Sequence, residues 1–338
     1  MASRQHLLGA LRAPGRRQFL FSGAAALGGA LLFVYAVRSV GTSAIVDGVR
    51  RVGAGLVVVL LLAGLRFGLR TQAWRLCMRS QTRVPFWPAF RAFLAGDAIG
   101  SVTPLGLVAS EPTKVLLARR HVPPGEAVAS LAVDNLTYAA SAVAMVGVGV
   151  IVTLATVPLS TAWQEGAVAA LCLIVGAGVV AQRLMKGTWS PERGDRPAWR
   201  ARLAQLRQTV MGFAEGHPER LWAVLGLGIL FHMCAVLEVY LVLGWLLSDA
   251  RPTWAQSIVF EALNRAVTIA FKFVPFRVGV DEALSGSLAP VLAVASASGV
   301  TLAVVRKVRN LFWAGVGLAL IGAHRVQAGA TTSDLRET

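Results

Sequence analysis

The chain has 338 residues, of which 55% are hydrophobic and 15% charged, and its mean hydropathy of +0.62 excludes a soluble domain with an ordinary polar surface. The net charge of +16 does not point to nucleic acid, because no basic stripe falls on a soluble face. Cys77, Cys172 and Cys234 lie far apart, in or beside apolar runs, where a thiol behaves as a small hydrophobe, so neither a disulfide framework nor a metal cluster is expected.

In chain order, the first apolar run is Phe19 to Val37. It follows Arg12, Arg16 and Arg17 as a signal peptide would, but its Ala/Gly stretch continues to Tyr35, and it is read as a membrane anchor. Further spans are predicted at 52–70, 130–155, 166–182, 221–247 and 300–321, giving six runs near the length that crosses the hydrocarbon core as helix. Two stretches, Phe90 to Arg119 and Trp254 to Val294, hold Pro, Gly and ionisable residues and cannot be lipid-facing helices. Backbone of that kind at membrane depth must be shielded by protein or line a wet cavity. Between spans four and five, Arg183 to Arg220 is a basic connection with an interfacial helix expected around Trp199 to Phe213. The polar tail from Ala328 to Thr338 is expected to be disordered. The fold class is all-α and polytopic, with most Lys and Arg on the side that holds both termini; Arg38, Arg50, Arg51 and Arg251 fall on the other. Positive-inside bias makes the first side cytoplasmic.

The halves repeat. Pro85-Phe-Trp87 is matched by Pro252-Thr-Trp254, and twelve residues beyond each proline stand Asp97 and Asn264. Pro104 to Glu111 and Pro275 to Glu282 share a spacing of seven, and Val133-Asp-Asn-Leu-Thr-Tyr138 resembles Val308-Arg-Asn-Leu-Phe-Trp313. With an odd number of full spans in each half, the second copy must enter the membrane from the opposite side, which is an inverted repeat. The expected organisation is a first repeat over 1–182, with span four opening the second half near 166, a connection over 183–220, the rest of the second repeat over 221–327, and a tail over 328–338. Its two re-entrant hairpins are expected to open from opposite sides and to approach tip to tip.

The motifs Gly96-Asp-Ala-Ile-Gly-Ser-Val-Thr-Pro-Leu-Gly-Leu-Val-Ala-Ser-Glu-Pro-Thr-Lys114 and Val274-Pro-Phe-Arg-Val-Gly-Val-Asp-Glu282 resemble the flippase-like membrane domain of lysylphosphatidylglycerol synthases and its stand-alone relatives, over nearly the whole chain. The resemblance places Glu111 with Lys114, and Glu282, at the family's acidic positions. Ser110 stands where the family usually has Gly, and Asp134-Asn135 where it usually has Glu-Arg. No aminoacyl-transferring domain is recognised, so the resemblance implies the membrane activity rather than the synthase.

Charges at membrane depth cost about 2.5–3.5 kcal/mol each on the lenient insertion scale, so a cluster of them is a candidate site. Glu111, Lys114, Arg277, Asp281, Glu282, Arg306 and Arg309 are the primary candidates, and Asp97, Asp134, Asn135, Glu261, Asn264, Arg265 and Lys272 the secondary ones. Arg277, Arg306 and Arg309 suit a phosphate through forked hydrogen bonds, and Glu111 and Glu282 suit an amine or a coupling proton. The competing reading is that these charges pair only with one another. Arg66 is read as snorkelling to the cytoplasmic end of its span, and His232 and Glu238, on different helix faces, as two separate buried hydrogen bonds. The Gly147/Gly149 and Gly226/Gly228 pairs are expected to let helices pack closely.

No phosphate-loop, nucleophile-elbow, dinucleotide or metal-ligand signature is present, so neither a cofactor nor a catalytic residue is expected. The expected function is translocation of a lipid or lipid-linked head group across a bacterial inner membrane, facilitated or driven by membrane potential or protons. The alternative is an accessory or scaffold for a separately encoded synthase, with an embedded enzyme less favoured. The sequence does not give the oligomeric state.

Overall fold

The structure is a computed structural model that describes residue 38 and residues 42–79, 83–103, 106–186, 198–247, 250–271 and 274–334. The expected span at 19–37 lies outside the described residues, as do Pro104 and Lys272. The described residues are all-helical: α1 (Thr42–Val52), α2 (Gly55–Leu76), α3 (Phe86–Val102), α4 (Leu107–Ala118), α5 (Pro124–Thr156), α6 (Thr161–Lys186), α7 (Ala198–Gly216), α8 (Pro218–Leu246), α9 (Trp254–Ala270), α10 (Val280–Val291) and α11 (Ser296–Asp334).

Four of these, α2, α5, α8 and the Thr161–Arg183 part of α6, are long and apolar enough to cross a membrane. The predicted span at 300–321 is helical within α11, but Arg306, Lys307 and Arg309 make it too polar to join them. The helix runs on through Asp334, past the point where a disordered tail was expected. The basic connection holds α7, whose Val210 and Phe213 pack with Ala73, Cys77, Val133 and Val224. The chain is thus a polytopic membrane protein.

Local chemistry sets the boundaries. Pro124 and Pro218 open α5 and α8 at the first turn, where a missing N–H costs nothing. Thr253 and Gln256 close a capping box on α9, with side-chain bonds of 3.1 and 2.7 Å. Gly279, at φ +84°, precedes α10 in a backbone region that L side chains rarely adopt, and its N–H is taken by Glu282 Oε2 at 2.8 Å.

Contacts between chain-distant segments define two ends of the bundle. At one, Arg220 reaches Met78 O and the Arg79 N–H reaches Glu126. At the other, Arg51 reaches Leu246 O and Gln256 reaches Leu292 O. The α3–α4 hairpin is rooted at the first end and the α9–α10 hairpin at the second, and their tips meet in the middle. Both hairpins join a helix of 17 residues to one of 12. In the first, Gly106 lies so close to Gly100 that a Cβ would sit 2.2 Å from its carbonyl oxygen. Close packing also holds at Gly149, where a Cβ would fall 2.0 Å from Ala262 Cβ, but Gly226 has nothing within 4 Å and needs another explanation.

Candidate functional site between the hairpin tips

Between the tips lies a cavity of about 210 Å³. The first hairpin supplies Asp97, Ser101, Thr103 and Ser110, the second Thr268 and Arg277, and Asn310 of α11 closes the wall. Hydroxyls, an amide, one acid and one guanidinium give donors and acceptors on every side. Sharp backbone at the second tip aims this wall: Phe276 and Arg277 have φ of 47° and 50°, a left-handed conformation that non-glycine residues adopt only where surrounding packing holds them.

Asp97 and Arg277 are the predicted site residues that reach the cavity directly. Arg277 Nε lies 3.2 Å from both oxygens of Asp281, an i,i+4 pair that leaves its terminal nitrogens for other partners. Lys307 stands behind this tip, 2.6 Å from Glu282 Oε1 and 3.3 Å from the Arg277 carbonyl. On α4, Lys114 pairs with Glu111 at 2.9 Å and lies over the Phe93 ring at 4.2 Å. The two glutamates expected to meet an amine are therefore each held by a lysine. Asp97 makes no hydrogen bond or ion pair with the described residues, so it is the more available acid.

The remaining candidates sit deeper. Glu261 binds Arg265 at 2.6 Å, Arg306 at 2.9 Å and Asn264 at 3.2 Å. Glu238 accepts from Arg66 at 3.1 Å and from Arg309. Arg306 and Arg309 do not line the cavity with Arg277; each is engaged by a glutamate of another helix. Arg66 is 7% exposed and paired with Glu238, which corrects the snorkelling expectation. An acid on α8 at matching depth holds it inside. The expectation for α8 itself holds: His232 bonds Ser141 at 3.2 Å, apart from Glu238. Asp134 takes a forked bond from Arg70 at 3.0 and 2.7 Å, while Asn135 beside it is half-buried.

Arg70, Glu238, Tyr138 and Asn310 are the important residues that sequence reasoning undervalued. Arg70 stacks over Tyr138 at 4.1 Å, and the Tyr138 hydroxyl accepts from Arg265 at 2.8 Å. A signal was available: Asp134 and Arg309 are matched positions of the repeat with opposite charge, so each needs a partner of opposite sign in its own half. Arg70 and Glu238, on the apolar helices that precede each hairpin, are those partners.

The sequence profile described as the lysylphosphatidylglycerol synthase TM region matches residues 19–318. The chain belongs to this family. Membership makes it a membrane protein related to lipid modification or flipping, in agreement with the apolar spans and the buried polar centre. Neither a curated protein nor a solved structure matches the chain.

Proposed function

We propose that this family member moves the polar head of a lipid or lipid-linked substrate across the bilayer through the cavity between the hairpin tips, with the acyl chains left in the membrane. One observation carries the reading: hairpins rooted at opposite ends of the bundle meet around a polar cavity walled by Asp97 and Arg277. At about 30 Å³ per water, a 210 Å³ space suits a small head group and not its tails. A head group crossing bare hydrocarbon loses its water hydrogen bonds, and lining hydroxyls, amide and charges replace them.

Equal hairpin lengths and opposite roots support an inverted repeat as the underlying architecture. Pairing follows the same symmetry, since α5 packs on α9 as α11 packs on α3. The end bearing Arg75, Arg79, Arg119, Arg120 and Arg220 is assigned to the cytoplasm of a bacterial inner membrane. Movement needs no catalytic group, which sets this reading apart from the enzyme alternative.

The test is exposure of lipid head groups in proteoliposomes. Asp97→Asn and Arg277→Gln each remove a charge-assisted contact of about 1.5–3 kcal/mol, so flipping should slow by about ten- to a hundredfold; the thermal midpoint should stay unchanged in Asp97→Asn and fall in Arg277→Gln, which also releases Asp281. Flipping at the wild-type rate in both variants would remove the cavity from the path.

A further inference from the structure

Asp97 stands apart from the other acids at the hairpin tips. Glu111 is held by Lys114, Asp281 by Arg277 and Glu282 by Lys307, whereas Asp97 lines the cavity half-buried with no hydrogen bond or ion pair to the described residues. Its helix α3 packs against α2, α4, α11 and the second tip, and the cations those elements bring are engaged elsewhere. On α4, the Lys114 stem passes so close to Gly96 that a Cβ there would sit 2.6 Å from its Cγ, yet its ammonium goes to Glu111 and the Phe93 ring. On α2, Arg70 forks onto Asp134 and Arg66 binds Glu238. At the second tip Arg277 pairs with Asp281, and on α11 Lys307, Arg306 and Arg309 pair with Glu282, Glu261 and Glu238.

A carboxylate without a partner at membrane depth is costly to keep charged, and either a proton or a hydrogen-bonding ligand relieves that cost. The two exclude each other at one small site. At about 30 Å³ per water, the 210 Å³ cavity has room for several waters beside Asp97, so a proton reaches the carboxyl without crossing hydrocarbon. We infer that Asp97 carries a proton in exchange for the head group, which couples translocation to proton movement in the opposite direction. Ionised Asp97 accepts a hydrogen bond from the head group. On the side of release, water hands Asp97 a proton, and the head group leaves. That proton passes to water on the other side as the next head group binds, so one proton crosses against each head group and only the O–H bond of Asp97 forms and breaks. Glu111 and Glu282, the sequence-based candidates for a coupling proton, each already face a lysine. The inference rests on the transport reading and adds an energy source to it.

The experiment places the full chain in phosphatidylcholine vesicles with a trace of phosphatidylethanolamine or phosphatidylglycerol, the membrane potential being clamped by potassium and valinomycin. An impermeant amine reagent reads exposure of the first trace lipid, and periodate oxidation of the diol reads the second. Under a pH difference of about one unit, exchange of one proton per head group should enrich the transported lipid about tenfold in the leaflet on the acidic side. Reversing the difference should reverse the enrichment. Asp97→Asn, slower in exposure, should distribute the lipid evenly under either gradient, whereas Asp97→Glu, which keeps a carboxyl, should retain the response. A role of Asp97 in folding alone would not move this readout. Should Asp97→Asn fail to fold, Asp97→Ser carries the same comparison. Rapid exposure with even distribution in the wild type would overturn the inference and leave the transport reading standing, and a gradient response that survives in Asp97→Asn, or one that follows sodium in place of pH, would do the same. Exposure of both lipids no faster than in protein-free vesicles would sink the transport reading and this inference with it.

Discussion

Much of the buried charge is matched residue by residue across helices. Arg70 with Asp134 and Arg309 with Glu238 occupy matched places in the two halves with their signs exchanged. Breaking a buried pair strands a charge, so Asp134→Leu should cost about 3–5 kcal/mol and show as a lower unfolding midpoint. Exchanging the partners, Arg70→Asp with Asp134→Arg, should recover part of that loss, because the two sites are coupled. Equal instability in the single and double variants would mean that the forked geometry, not the charge match, matters. Asp134 and Arg309 were legible in the sequence because they fall in a repeated motif. Arg66 was not, and Arg70 and Glu238 were legible only through the opposite charges of Asp134 and Arg309, because a lone charge in an apolar helix reads alike whether it snorkels or finds a partner 64 to 172 residues away.

The hairpins depend, as elements, on close backbone approach. Gly106→Ala would place a methyl 2.2 Å from the Gly100 carbonyl, a clash between two backbones that no flexible side chain can absorb. The expected result is a loss of about 1–3 kcal/mol and a displaced first tip, seen as weaker head-group flipping even where the protein still folds. Unchanged stability and flipping would show that the tip tolerates wider spacing. Both hairpins were legible from prolines, glycines and acids in otherwise apolar stretches, and their extents agree with the helices. How those acids are used was not legible: Glu111 and Glu282 keep the same spacing from a proline, yet each faces a lysine, while Asp97 reaches the cavity. Spacing fixes the turn of helix on which a side chain stands, not the neighbour that a distant helix brings to it.

For the whole molecule, the account requires the hairpins to open to opposite sides of the membrane. Trp87 and Trp254 are exposed at the two roots, as interfacial aromatics are, so cysteine at each position should react with an impermeant maleimide from opposite faces of oriented vesicles. Labelling of both from one face would end the inverted arrangement. The central claim, that a head group passes between the tips, is tested most directly by head-group exposure in proteoliposomes carrying wild type, Asp97→Asn or Arg277→Gln. The account predicts rapid exposure with wild type and a loss of about tenfold or more in each variant, with Asp97→Asn as stable as wild type. Exposure no faster than in protein-free vesicles, or equally fast in all three proteins, would contradict it.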